Sequence, residues 1–378
     1  MGHGEASESA LATARGLPPA WAAVRRVVAV RLDNVGDLVM LSPALRALRH
    51  NLPDAHVTLL ASAAGAAMAP LLPWVDSVMV EQVVWQDAGG RLALDPAREL
   101  AVVRRIAEAQ FDAALIFTSF SQSPWPPAYA CYLAGIPLRA AQAGDFGGSL
   151  LTHVAPSLPR EAHQVDRNLH LVDHLGFAVP SRHPEVRVLA TTDQLLEPLG
   201  LAGGAPFVAL APGASCAARR YPAERFAKVA TLLADAGLPM VVLGSEREAG
   251  LAAPIVELNR GRRVYSLVGR TDLGELAAVL ERASVAVTND SGPMHLADAV
   301  DCPQVVLFSG TDLESQWRPR RAPTRLLRRA TPCAPCYLFD CPVGLPCLDI
   351  PPEEVVGHVL DLLPLGDRSG GVCVGSES

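Results

Sequence analysis

Val27-Val28-Ala29-Val30-Arg31-Leu32-Asp33-Asn34-Val35-Gly36-Asp37-Leu38 is the stretch that decides the reading of this chain. Its opening apolar run has the unbroken pattern of a strand buried on both faces, as a parallel sheet between helix layers requires. The polar Asp33-Asn34 ends that run, and Gly36 permits a tight turn. Leu38, Leu41, Leu45 and Leu48 then recur at helical spacing. The second half of the chain repeats the device. Val285-Ala286-Val287 runs into Thr288-Asn289-Asp290-Ser291-Gly292-Pro293-Met294-His295. Two such strand-to-helix turns, one per half, imply a site assembled in a cleft between two domains.

Outward from these turns, strand and helix signals alternate. In the first half, strands are expected at 27–30, 57–60, 77–80, 113–117 and 138–140, with an edge strand at 186–189. Helices are expected at 38–48, 61–72, 97–109, 129–134 and 164–175. The pattern restarts with strands at 207–211, 240–243, 285–287 and 304–308. Its helices are expected at 223–236, 251–258, 273–282, 293–299 and 353–363. Such alternation specifies α/β domains with parallel sheets and right-handed crossovers. The expected layout is a disordered N-terminal extension at 1–25 and a first domain at 26–190. A linker at 191–205, a second domain at 206–365 and a disordered tail at 366–378 follow. Open parallel sheets take ligands beyond the C-terminal ends of their strands, where both turns lie.

Composition narrows the function. A chain of 378 residues, 50% hydrophobic and 19% charged, suits two well-buried α/β domains. A net charge of −7 argues against nucleic-acid binding. No segment approaches the ~20 apolar residues needed to cross a bilayer. The first 26 residues lack the apolar core of a secretory signal, and eight cysteines do not make a disulfide scaffold. These features read as a cytoplasmic protein. Lys228 is the only lysine, so an anion clamp must be built from arginine. Arg318 to Arg329 holds six arginines, either a site for an anionic partner or a solvated basic face.

Three segments carry chemistry. Pro293 suits a first helical position and Ser291 or Gly292 a cap, so the helix start offers free N–H groups and a favourable dipole to a phosphate. His295, one turn after Ser291, lies on the same face and can donate to a diphosphate oxygen. A capped helix with His295 satisfied by Asp290 remains the plainer alternative. In the first turn, Asp37 reads either as a helix cap or as a general base, with Asp33 the weaker base candidate. The turn is too poor in glycine for a dinucleotide fingerprint. In Pro212-Gly213-Ala214-Ser215…Arg219-Arg220-Tyr221-Pro222, Arg219 is either a diphosphate clamp or a surface arginine.

Together these segments resemble glycosyltransferase family 9, the ADP-heptose:lipopolysaccharide heptosyltransferases, from about residue 26 to 363. The resemblance rests on Gly36-Asp37 with Leu41-Ser42-Pro43-Ala44-Leu45-Arg46-Ala47-Leu48, on Asn289 to His295, and on Pro212-Gly213…Arg219-Arg220-Tyr221-Pro222. It implies the GT-B fold, two Rossmann-like domains facing across a cleft, with the acceptor on the first and the nucleotide sugar on the second. Asp37 would be the general base of an inverting transfer, with Asn34 and Gly36 on the acceptor-side loop. Arg219, Asp290, Ser291, Gly292 and His295 would hold the donor diphosphate. Glu248 would contact the ribose and Thr271 the adenine side. Arg219 stands where the family usually has lysine, which changes reach and geometry.

The implied substrates are ADP-heptose and a lipid A-core acceptor at the inner face of the cytoplasmic membrane, where the protein would be peripheral. No metal cofactor is implied as obligatory. Cys333, Cys336, Cys341 and Cys347 crowd into one segment, and heptosyltransferase II-like members carry a comparable one. Free thiols, a structural metal and disulfides all remain open for it. Cys131, Cys216, Cys302 and Cys373 are scattered and read as ordinary small residues. Two other functions compete. One is the same fold with another sugar nucleotide or a soluble acceptor. The other is a catalytically silent nucleotide-binding protein.

Overall fold

The computed structural model describes residues 18–87 and 89–363. The expected tail and most of the expected N-terminal extension, with Cys373, lie outside the described residues. The chain divides between Pro184 and Glu185 into two units. That break precedes the expected linker. Within 191–205 the chain forms a short helix, Asp193–Leu196, and a tight turn, Glu197–Leu199, with Leu196 and Leu201 buried. Residues 18–25, read from the sequence as part of a disordered extension or a loose helix, are likewise ordered. Pro19–Ala22 is helical, and Trp21 is fully buried, edge-on to Phe177 with ring centroids 5.4 Å apart. An indole of that size anchors its segment wherever an apolar slot accepts it.

The first unit holds β1 (Arg26–Arg31), β2 (His56–Ala61), β3 (Ser77–Val80), β4 (Ala113–Ile116), β5 (Leu138–Ala143) and β6 (His153–Pro156). They pair in the order β3-β2-β1-β4-β5-β6, all parallel. The second holds β7 (Val208–Ala211), β8 (Met240–Val242), β9 (Val264–Ser266), β10 (Val285–Asn289), β11 (Gln304–Leu307) and β12 (Thr324–Leu327). Their order is β12-β11-β10-β7-β8-β9, again all parallel. Counted from its own first strand, each sheet runs 3-2-1-4-5-6, the doubly wound Rossmann order. The order reverses between β1 and β4 and between β7 and β10, so each unit opens a ligand crevice at the C-terminal ends of those strands.

Sequence periodicity misses β6, β9 and β12, all of them sheet edges. One side of an edge strand meets solvent, so the apolar run that marks a central strand is absent. The expected edge strand at 186–189 does not form, and β6 takes the edge of the first sheet instead.

Helix α1 (Val35–Asn51) starts three residues before the expected 38, because Asp37 Oδ2 accepts the Asn34 amide at 3.2 Å and closes the first turn. It continues through Pro43. Proline has no N–H for the Val39 carbonyl one turn earlier. The buried Ser42 hydroxyl supplies the replacement donor at 2.6 Å. Helices α2 (Trp125–Leu133) and α3 (Gln164–His174) belong to the first unit. In the second, α4 (Gly292–Ala299) follows β10, and α5 (Pro352–Leu362) packs near β11.

Candidate active site

In the first unit the site grows from Arg31, the last residue of β1, whose side chain is fully buried. Its Nε lies 2.8 Å from Asp33 Oδ2, and its Nη2 donates to Asp37 Oδ1 at 2.7 Å and to Ser119 Oγ at 2.8 Å. Desolvation works against the buried guanidinium, but the two carboxylates outweigh it and hold its pKa above the ordinary arginine value. Asp33 Oδ1 also accepts from Gln86 Nε2 at 2.6 Å and Gln122 Nε2 at 2.5 Å. Burial pushes the Asp33 carboxyl up, against the pull of Arg31.

This geometry separates the two candidate bases. Asp33 ties the turn after β1 to those after β3 and β4, with three side chains on its two oxygens. Asp37 sits in the first turn of α1, partly exposed, with one bond to Arg31 and one to the Asn34 amide. Asn34 is exposed and Gly36 buried on the same turn. Arg31, Gln86, Ser119 and Gln122 were not singled out from sequence. Ser119 and Gln122 carry the signal that found Asp37, a polar turn directly after a buried strand.

In the second unit Asn289, at the end of β10, is fully buried and joins three segments. Its Nδ2 donates to the Pro212 and Gly213 carbonyls at 2.8 and 3.3 Å, and its Oδ1 accepts the Tyr221 amide at 3.0 Å. Ser291 caps α4 from an extended conformation, with its hydroxyl 3.3 Å from the Asn289 carbonyl. His295 is buried one turn further along. Glu248 Oε2 accepts the Ser245 amide at 2.7 Å and its hydroxyl at 2.8 Å, while Oε1 lies against Gly213, where a Cβ would stand 1.7 Å from it. Thr271 lies beyond β9, on a loop tied to the one after β8 by Gly269 N donating to Gly244 O at 2.9 Å. The candidate donor residues therefore stand after β7, β8, β9 and β10, along one edge of one sheet.

Arg219 is held more firmly than its sequence suggests. Its Nε donates to Thr311 Oγ1 at 3.1 Å and lies 3.7 Å from Asp290 Oδ2, and its Nη2 donates to Asp312. Burial opposes its charge, but Asp290 and Asp312 raise its pKa above the ordinary arginine value. Thr311 and Asp312 follow β11 in the turn Ser309-Gly310-Thr311-Asp312, another polar turn after a buried strand that sequence reading passed over.

The cysteine segment backs this corner. Cys336 N donates to Gly310 O at 3.0 Å, Tyr337 N to Thr311 O at 2.8 Å, and Ala218 N to Phe339 O at 2.9 Å. Cys333, Cys336, Cys341 and Cys347 are free thiols. Among the described residues no three His, Cys, Asp or Glu side chains gather to hold a metal. Of the arrangements left open by the sequence, free thiols are the one seen in that segment. Burial pushes the Cys347 thiol up, with Cys341 and Cys333 adding to the shift. In the basic stretch, Arg329 pairs with Glu354, Arg321 lies 3.8 Å from Asp301, and Arg318 lies 3.6 Å from Glu314. Much of its charge is balanced within the chain. Among the described residues no helix is long and apolar enough to cross a membrane.

The sequence profile of glycosyltransferase family 9 (heptosyltransferase) matches residues 99–345. Lipopolysaccharide heptosyltransferase 2 of Escherichia coli K12 is 27% identical over 346 residues, which cover 87% of this chain and 96% of that protein. Among solved structures, the E. coli ADP-heptose lipopolysaccharide heptosyltransferase II superposes with a TM-score of 0.70 at 22% identity. That match covers 89% of this chain and 98% of the other. A family 9 glycosyltransferase from Veillonella parvula gives 0.71 at 20% identity, covering 89% and 97%. The Rossmann-like pair of parallel sheets is the GT-B fold read from the sequence. With its family profile and its fold in agreement, the chain belongs to glycosyltransferase family 9, the heptosyltransferases, and is a glycosyltransferase.

Proposed function

We propose that the chain transfers heptose from ADP-heptose to a saccharide acceptor of the lipopolysaccharide inner core, with Asp37 as general base and inversion at the anomeric carbon. The carrying observation is the contrast at the β1 turn. Asp33 is consumed by three side chains, while Asp37 keeps a partly exposed carboxylate at the switch point of the first sheet. Likeness to a lipopolysaccharide heptosyltransferase over 96% of its length supports the donor and acceptor classes.

In this reaction the acceptor hydroxyl gives its proton to Asp37 as its oxygen bonds to the anomeric carbon. The bond from that carbon to the diphosphate breaks on the opposite face, and ADP leaves with the electron pair. Charge on the departing diphosphate falls to the N–H groups that open α4 at Ser291 and Gly292, to His295 and to Arg219. Asp290 and Asp312 orient Arg219. Glu248 contacts the ribose and Thr271 the adenine side. The protein works in the cytoplasm, at the inner face of the membrane that carries the acceptor. No divalent metal is obligatory.

Purified protein incubated with ADP-heptose and a heptose-deficient lipopolysaccharide core tests this by ADP release and product mass. One added heptose per acceptor, lost in Asp37→Ala with ADP still bound, is the expected result. ADP binding without transfer would point to another sugar or acceptor. Absence of ADP binding would overturn the donor site at Ser291–His295.

A further inference from the structure

The cysteine segment between β12 and α5 takes no part in the proposed transfer, yet its thiols gather on one turn. Gly310 is the reason they can. Its carbonyl accepts the Cys336 amide at 3.0 Å. A Cβ on Gly310 would stand 3.1 Å from Ala334 Cβ, 3.3 Å from Cys347 Cβ and 3.6 Å from Cys347 Sγ. The missing side chain lets the segment lie directly on the turn after β11, with Cys347 buried there. Cys341 Sγ accepts the Leu345 amide at 3.3 Å. Leu345 opens the short turn Pro346–Leu348 that carries Cys347. Cys341 is half-buried, so a small solute reaches one sulfur of this turn, while the other is enclosed. Charge on Cys341, and less strongly on Cys333, adds to the burial that pushes the Cys347 thiol up.

The same segment grips Arg219 at two points. Tyr337 N donates to the carbonyl of Thr311, whose hydroxyl accepts from Arg219 Nε, and the next residue, Asp312, pairs with that guanidinium. Phe339 O accepts the amide of Ala218, the residue before Arg219. One point fixes the turn that orients the guanidinium, and the other fixes the backbone that carries it. A covalent change among the thiols is therefore felt at Arg219.

We propose that Cys341 and Cys347 form a redox modification site: hydrogen peroxide joins them as a disulfide, which draws Cys347 off Gly310, loosens Arg219 and weakens the hold on the donor diphosphate. The last consequence rests on the reading that Arg219 clamps that diphosphate. In the first step the Cys341 sulfur bonds to one peroxide oxygen and the O–O bond breaks. The departing hydroxide takes the thiol proton and leaves as water, and Cys341 becomes a sulfenic acid. The Cys347 sulfur then bonds to the Cys341 sulfur. The S–O bond breaks, and a second water leaves with the Cys347 proton. Two thiols give up two electrons, and the peroxide takes them. A dithiol reverses the change by exchange, so a reducing compartment keeps the pair free until oxidant rises.

The test treats the intact chain with hydrogen peroxide and removes the excess with catalase. Part of the sample is capped with N-ethylmaleimide under denaturing conditions and read by tandem mass spectrometry. The rest is titrated with ADP by calorimetry, before and after dithiothreitol. Cys341 and Cys347 should be linked, with Cys333 and Cys336 capped. Oxidation should weaken ADP by about 3- to 10-fold, and dithiothreitol should restore it. Cys341→Ser should bind ADP as the reduced wild type does and ignore peroxide, whereas Cys333→Ser should respond as wild type. A link through any other pair would overturn the proposal, as would a Cys341–Cys347 link that leaves ADP affinity unchanged. The wild-type readouts need no substitution, so they decide even where a variant fails to fold. If the reduced wild type binds no ADP, the donor site proposed above falls, and the mass spectrum alone decides the thiol pair.

Discussion

Asp33 and Asp37 lie one helical turn apart on one loop, and their chemistry diverges because of what surrounds them. Asp33 is spent on Arg31, Gln86 and Gln122, and these bonds fix the loop. Asp37 retains access while Arg31 and the Asn34 amide fix its direction. Replacing Asp37 by Asn keeps the shape and removes the proton acceptor. It should lower kcat by about 100- to 10,000-fold, with ADP affinity unchanged by calorimetry. Both acids were visible in the sequence as candidates. The sequence ranked Asp33 the weaker without its partners, because Gln86 and Gln122 reach Asp33 from turns that follow other strands.

At the scale of elements, α1 depends on a local repair. Ser42→Ala removes the donor that replaces the missing N–H of Pro43 and leaves the buried Val39 carbonyl unsatisfied. A loss of about 1–3 kcal/mol is expected, read as a lower midpoint in thermal unfolding. Gly213 acts through a close approach instead. A Cβ there would meet the end of the Glu248 side chain, which can move aside. Gly213→Ala should therefore leave stability nearly unchanged and raise the KM for the ADP-sugar. An unaltered KM would separate Glu248 from donor binding. Helix α5 is tied to the segment after β12 by Arg329, whose Nη1 donates to Glu354 Oε1 at 3.1 Å. That bond, with the Arg329 charge adding to it, holds the Glu354 carboxyl below its ordinary value against the opposing effect of burial. Because the folded pKa is the lower one, the stabilisation is complete above about pH 4.3 and fades as pH falls through the folded value. Glu354→Gln should cost up to about 1 kcal/mol at pH 7, screened as a partly exposed pair is. The difference from wild type should close in unfolding curves taken at progressively lower pH.

At the scale of the molecule, one strand order serves twice. The first unit presents a partly exposed carboxylate at its switch point, and the second presents helix N–H groups, a histidine and an oriented arginine. If the two substrates divide between the units in this way, their binding is separable. Arg219→Met should weaken ADP by roughly 10- to 100-fold and leave acceptor affinity intact, as calorimetry with each ligand alone would show. Turnover should persist in excess EDTA, and its abolition would assign the leaving-group charge to a metal. The sequence by itself determined the alternating α/β architecture, the central strands and the turns bearing Asp37, Asp290, Ser291 and His295. Each of these is written in contiguous residues, as an apolar run followed by a polar turn and a helical period. Only the tertiary structure decided the edge strands, the burial of Trp21, and the partners of Asp33, Asp37 and Arg219. Those properties depend on which distant segments meet, and packing fixes that where no local pattern records it.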